Sequence, residues 1–140
     1  MDVFYTAEAT AVGRGRNGEV HSSDGVLDEK LAMPKEMGGP GGPHTNPEQL
    51  FAAGYAACFH NALLRVAHES TVELPDDTSV HASVGIGKVE EKFHLTVALN
   101  AYLPGVEQGM ADQLVAQAHQ ICPYSNATRG NIAVEITASS

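Results

Sequence analysis

At 140 residues the chain is long enough for one domain with a real core and short enough that a second copy can complete it. With 8 Lys+Arg against 17 Asp+Glu the formal charge is −9 and the few cations are scattered, which argues against a nucleic-acid surface or an anionic membrane as partner. The N-terminus, MDVFYTAEA, has no basic region followed by an apolar run, and the two cysteines match neither a zinc spacing nor C-x-x-C, so a cytoplasmic protein without a standing disulfide is expected.

Val3, Tyr5, Ala7, Ala9 and Ala11 alternate with Asp2, Phe4, Thr6, Glu8 and Thr10, the period of a strand with one inward face. A glycine-rich turn from Gly13 to Gly18 carries Arg14 and Arg16 and leads into a second strand over residues 19–23. Ser23-Asp24-Gly25 turns the chain into a third strand over residues 26–33. Met37 to Pro43, MGGPGGP, is a loop feeding a helix, a position from which loops often frame a binding site.

That helix is the centre of the chain. Asn46 is a good N-cap, Pro47 suits the first helical position, and Glu48 puts a carboxylate in the positively polarised first turn. From Leu50 to Phe59 no side chain is charged, and apolar or small residues cover every azimuth, the pattern of a helix buried on all sides. His60, Asn61 and Arg65 end the run well short of the ~20 apolar residues a bilayer span needs, so a core helix to His68 is expected.

Two alternating runs, Val80 to Ile86 and Phe93 to Leu103, form a hairpin turning at Glu90-Glu91. Residues 106–121 carry an inward stripe of Met110, Leu114, Val115, Ala118 and Ile121, with Cys122 on the same face just before Pro123. Tyr124 to Asn131 reads as a polar turn and Ile132 to Ala138 as a last strand. Strands in meanders with two helices give an α+β fold, one domain over residues 1–140.

The chemistry centres on Cys58. A cysteine in a buried helix is most often an inert small hydrophobe. Here both cysteines fall on inward faces of separate elements, where they can meet. A thiol becomes a nucleophile when a cation or hydrogen-bond donor lowers its pKa. Arg14, Arg16, Arg65 and Arg129 are the candidates, and Arg65 is about 10 Å from Cys58 along the helix axis. Glu48 is about 15 Å away along that axis, so it serves Cys58 only through a long arginine or from an antiparallel helix of a second chain. A metal site is disfavoured: Cys58 and His60 point about 200° apart, and the His119/Cys122 pair lacks a second pair. An acyl-transfer site of Cys58, His119 and a carboxylate has no further support, and a non-catalytic dimer binding an apolar ligand stands as an alternative.

The runs TNPEQLFAAGY with ACF around Cys58, AH at Ala118-His119, CPYSNATRGN over 122–131, SSDGVL over 22–27 and the glycines between 38 and 42 closely resemble the organic hydroperoxide resistance (Ohr) proteins of the Ohr/OsmC superfamily. The resemblance implies an OsmC-like α+β fold: an intertwined homodimer with two long central helices packed against antiparallel sheets. It also implies a thiol peroxidase reducing alkyl and fatty-acid hydroperoxides to alcohols. Its peroxidatic cysteine maps to Cys58, its resolving cysteine to Cys122, its glutamate to Glu48, and its arginine, counted back from Ser22-Ser23-Asp24, to Arg16 rather than Arg14. Phe51, Tyr55 and Phe59 are expected to line an apolar entrance. His60 stands where the family usually has an apolar residue. No bound cofactor or metal is implied; the reductant would be dihydrolipoamide or a lipoylated protein.

Overall fold

The computed structural model describes residues 1–140 and divides into two compact units, Met1–Leu50 and Phe51–Ser140. In the first unit an antiparallel sheet runs β1 (Ala9–Val12), β2 (Glu19–Ser22), β3 (Asp28–Lys30). The first strand is shorter than the alternation predicts. β2 offers only four residues for pairing, and the ladder ends where the Ser23 N–H donates to the Glu8 carbonyl at 2.9 Å. Residues 1–8 form no strand, and Phe4 is wholly exposed. β3 is also shorter than expected, because Val26 and Leu27 belong to the preceding turn. The Asp24 carboxylate accepts from the Val26 N–H at 3.0 Å and from the Ser22 hydroxyl at 2.6 Å, and the Leu27 N–H donates to Ser22 Oγ at 3.0 Å.

Helix α1 (Pro47–Glu69) starts as the sequence requires, with the Gln49 N–H donating to Asn46 Oδ1 at 2.8 Å. By length and composition it is the one helix able to cross a bilayer, yet Tyr55, Phe59, Ala62, Leu63, Val66 and Ala67 are built into the core of the second unit. Burial on all sides is not met within one chain. Ala53, Ala57, Asn61 and Leu64 remain exposed, because the core lies against only one face of the helix.

In the second unit β4 (Ser79–Val89) and β5 (Lys92–Tyr102) pair along their whole length, from Ser79 opposite Tyr102 to Val89 opposite Lys92. Glu90 and Glu91 both adopt positive φ, 50° and 68°, which matches the twist of a two-residue hairpin turn. Helix α2 (Gln108–Ile121) is capped by Glu107, whose carboxylate accepts from the Gly109 and Met110 N–H groups. Those two bonds hold its carboxyl below the usual value. The expected polar turn after Cys122 is instead a short helix, α3 (Pro123–Thr128), with Pro at its first position and Ser125 and Thr128 buried. β6 (Glu135–Ser139) then pairs parallel to β5, so the sheet order is β4-β5-β6 and not a pure meander. A parallel neighbour needs a crossover, which α2 and α3 provide.

Candidate active site

In the first unit the β1–β2 connection closes as a single 3-10 turn, Gly15–Asn17, with Gly13 and Gly15 at positive φ. Asn17 anchors it by accepting the Met33 N–H at 2.9 Å. The turn presents Arg16, whose Nη1 donates to Glu48 Oε1 at 2.5 Å in the first turn of α1. The side chains are 28% and 13% exposed, so this charge-assisted bond is screened less than a surface pair. Arg14 makes no ion pair; of the two turn arginines, only Arg16 pairs with the carboxylate.

In the second unit Cys58 and Cys122 are both free thiols, Cys58 partly exposed and Cys122 fully buried. The proline after Cys122 forces that residue out of helical geometry, to φ −65° and ψ 124°, so it ends α2 and opens α3. Cys58 packs against the core cluster that contains Cys122, and the residues flanking Cys122, Ile121 and Pro123, share the Cys58 pocket; the Tyr124 backbone N–H is near enough to act on the Cys58 thiol. Pro123 has no N–H and the first N–H groups of a helix lack intrahelical partners, so that of Tyr124 is the first free to do this. Burial pushes the Cys58 thiol above its ordinary pKa; the Tyr124 N–H pulls the other way, and the Cys122 thiol adds to the rise.

Cys58 opens on a pocket of about 470 Å³ lined by Asn61, Ala62, Arg65, Glu69, Ile121 and Pro123. The apolar lining expected from Phe51, Tyr55 and Phe59 is not what the structure places there. Tyr55 and Phe59 have no exposed surface and belong to the core, because their four-residue spacing sets both on the inward stripe of α1. Phe51 is partly exposed and packs, with Tyr55, against the Tyr124 ring, at centroid distances of 6.4 Å to Tyr55 and 6.2 Å to Tyr124.

The polar run after Cys122 supplies contacts that its turn-like composition hid. Arg129 Nη2 donates to the His119 carbonyl in the last turn of α2 at 2.6 Å, and Nη1 to Asn126 Oδ1 at 2.5 Å. His119 is held below the usual histidine pKa, first by burial and then by the Arg129 charge, and its Nδ1 is buried without a partner. No three His, Cys, Asp or Glu side chains gather as a metal site. Pro123, suited to the first position of a helix, was the sequence signal for α3.

Residues 39–137 match the family described as OsmC-like protein, so the chain is an OsmC-like protein. It is 54% identical over 135 residues to an organic hydroperoxide resistance protein of Xanthomonas axonopodis pv. citri (strain 306), covering 96% of this chain and 94% of that one. An organic hydroperoxide resistance protein from Elizabethkingia anophelis, with thiocyanate bound, superposes with a TM-score of 0.94 at 50% identity over 100% of this chain and 99% of that one. A putative one from Vibrio cholerae, with captopril bound in one of its active sites, gives 0.92 at 51% identity over 100% of this chain and 95% of that one. Within the OsmC-like proteins the chain therefore belongs to the organic hydroperoxide resistance family, as the CPYSNATRGN run implies.

Proposed function

We propose that the chain is a thiol peroxidase that reduces organic hydroperoxides, alkyl and fatty-acid, to alcohols. The observation that supports this is two free thiols in one packed core, Cys58 of α1 at a pocket and Cys122 buried at the α2–α3 corner whose neighbours Ile121 and Pro123 line that pocket. The names of the relatives supply the substrate class. The Cys58 thiolate attacks the terminal peroxide oxygen; the O–O bond breaks, its electron pair leaves on the alkoxide, and that oxygen takes a proton to become the alcohol. The sulfur is left as a sulfenic acid. The Cys122 thiol then displaces the sulfenic hydroxyl as water, forming a disulfide that spares Cys58 further oxidation. A dihydrolipoyl dithiol reopens it and leaves as a cyclic disulfide. No cofactor needs to stay bound.

Burial disfavours the Cys58 thiolate, so the reaction requires a cation beside it. Arg16, oriented by Glu48, is that cation in this reading, and it also stabilises charge developing on the leaving oxygen. Glu48 and Cys58 are about 15 Å apart along one helix axis. The pair serving each thiol is therefore taken from the partner chain of a homodimer. The uncovered stripe Ala53, Ala57, Leu64 on α1 and the exposed Phe4 and Tyr5 favour such a dimer. A reaction that starts from two free thiols suits a reducing cytoplasm.

The test is turnover of cumene or tert-butyl hydroperoxide with dihydrolipoamide. Wild type consumes peroxide catalytically, and Cys122→Ser consumes about one equivalent before stalling. Turnover by Cys58→Ser at the wild-type rate sinks the assignment and leaves a ligand-binding dimer as the better reading.

A further inference from the structure

The buried hydroxyl of Tyr55 has a place in no step above. Its ring is a core element, and Phe59, one turn later on the same stripe, fills that layer without a hydroxyl. A buried hydroxyl costs stability unless it is bonded. Tyr55 Oη is bonded: it lies 2.8 Å from Ser125 Oγ and 3.4 Å from Thr128 Oγ1, both in α3 and both buried. Thr128 Oγ1 donates to the Ser125 carbonyl at 3.2 Å, which leaves its lone pairs to face Tyr55.

A second contact fixes the same helix. The Tyr124 ring packs on that of Tyr55 at 5.6 Å and on α1 over Gly54, where a Cβ would come within 2.8 Å of Tyr124 Oη and 3.3 Å of the ring. Glycine at 54 is thus what lets the ring lie against α1. The two contacts set α3 in one register on α1. The consequence of that register is at Cys58, three residues beyond Tyr55: Pro123, the first residue of α3, lines the Cys58 pocket, and the Tyr124 N–H next to it acts on the thiol.

We infer that Tyr55 is a positioning residue for Cys58: its hydroxyl pins α3 to α1 through Ser125 and Thr128, and so holds the Tyr124 N–H toward the Cys58 thiol. Cys58 is the attacking thiol in the reading proposed above, and the inference rests on that reading for its consequence in catalysis. The positioning itself is tested without peroxide.

The measurement is the pH profile of iodoacetamide alkylation at Cys58, read by mass spectrometry, in wild type, Tyr55→Phe, Ser125→Ala and the double variant, alongside each melting temperature. Phenylalanine keeps the ring contacts and removes only the hydroxyl. Tyr55→Phe is expected to move the profile toward higher pH and slow alkylation at neutral pH about three- to tenfold, the loss of thiolate that follows when one donor is misplaced. Ser125→Ala moves it the same way by no more than Tyr55→Phe, since the Thr128 contact remains, and the double variant is no worse than Tyr55→Phe, because the phenol takes part in both bonds. Tyr55→Phe and Ser125→Ala that melt lower but alkylate with the wild-type profile overturn the inference, since that is what a purely structural hydroxyl does. If Tyr55→Phe does not fold, Ser125→Ala decides alone. A wild-type protein inert toward peroxide, but with the shifted profiles, would sink the peroxidase reading and leave the positioning role standing.

Discussion

The two units are chemically unlike. The first holds a cation and a carboxylate in contact, Arg16 on Glu48, and has no sulfur nucleophile. The second holds both thiols, and its arginines are already engaged: Arg65 lines the Cys58 pocket but pairs with Glu69 at 3.2 Å, and Arg129 is bound to the His119 carbonyl and Asn126. The apolar burial is just as uneven. Leu31 and Ala32 are the only buried apolar residues of the first unit, whereas the second has a continuous core from Tyr55 to Cys122. The sulfur thus sits in a desolvated frame that favours the neutral thiol, and the charge that ionises it in the proposed mechanism is mounted on a turn of a thin sheet. A peroxidase needs both, which makes the comparison testable from either side.

The largest effects fall on the sulfur. Cys58→Ser is expected to lose peroxide reduction entirely, while Cys122→Ser keeps the first turnover and then accumulates sulfinic acid at Cys58, read by mass spectrometry after excess peroxide. Serial turnover by Cys122→Ser at the wild-type rate would remove the resolving role. Next come the charges. Arg16→Met is expected to lower the second-order rate with cumene hydroperoxide about 10²–10³-fold, the scale of removing one preorganised donor at developing negative charge. Glu48→Gln, which leaves Arg16 in place but loosens it, costs less, and Arg14→Met is near neutral. Equal losses from Arg14→Met and Arg16→Met would mean that the turn acts through net charge, with no specific pair. A smaller effect tests the uncovered helix face. Leu64 is 45% exposed, so Leu64→Asp costs within about 0.5 kcal/mol if the chain works alone. If a second copy covers that face, the same change halves the mass seen by light scattering and makes the melting temperature of the wild type, but not of the variant, depend on concentration. An unchanged mass would exclude Leu64 from the interface.

What could be read in the sequence was local. The Asn46-Pro47 start of α1 and the alternation of the β4–β5 hairpin depend on near neighbours, and both elements form where the residues put them. What depended on distant partners was missed. Residues 2–8 alternate like a strand but find no partner beyond β2 in this chain. Ile132 to Ala138 reads as a strand, but nothing in the segment says that it lies parallel to β5. A helix apolar at every azimuth does not declare which face turns inward, so Tyr55 and Phe59 were placed at an entrance when they fill the core. The burial of Cys122 was legible, because it ends an inward stripe. The polarity of Tyr124 to Asn131 concealed α3, and with it the N–H on Cys58. Arg16 was separated from Arg14 only by counting residues; the geometric reason is the 3-10 turn between Gly15 and Asn17, which carries Arg16 to Glu48.

The smallest expected effect asks whether the second unit is governed by desolvation, as its contrast with the Arg16–Glu48 pair implies. Burial is the first cause of two opposite shifts there, Cys58 upward and His119 downward, and both favour the uncharged form. For His119 the folded pKa lies below the unfolded one. The stability it contributes is therefore present above the ordinary histidine value and is lost as pH falls through the lower folded value. For Cys58 the folded pKa lies above the unfolded one, so its contribution is complete below the ordinary thiol value and is lost as pH rises through the higher folded value. Melting temperature should then fall at both ends. His119→Gln should flatten the acid limb alone and Cys58→Ser the alkaline limb alone. Alanine at Arg129 should shrink the acid limb only in part, since Arg129 is the second cause of the His119 shift and burial remains. An acid limb unchanged in His119→Gln would mean that the carboxylates of the first unit set the acid stability, and that the desolvated frame around the thiols contributes none of it.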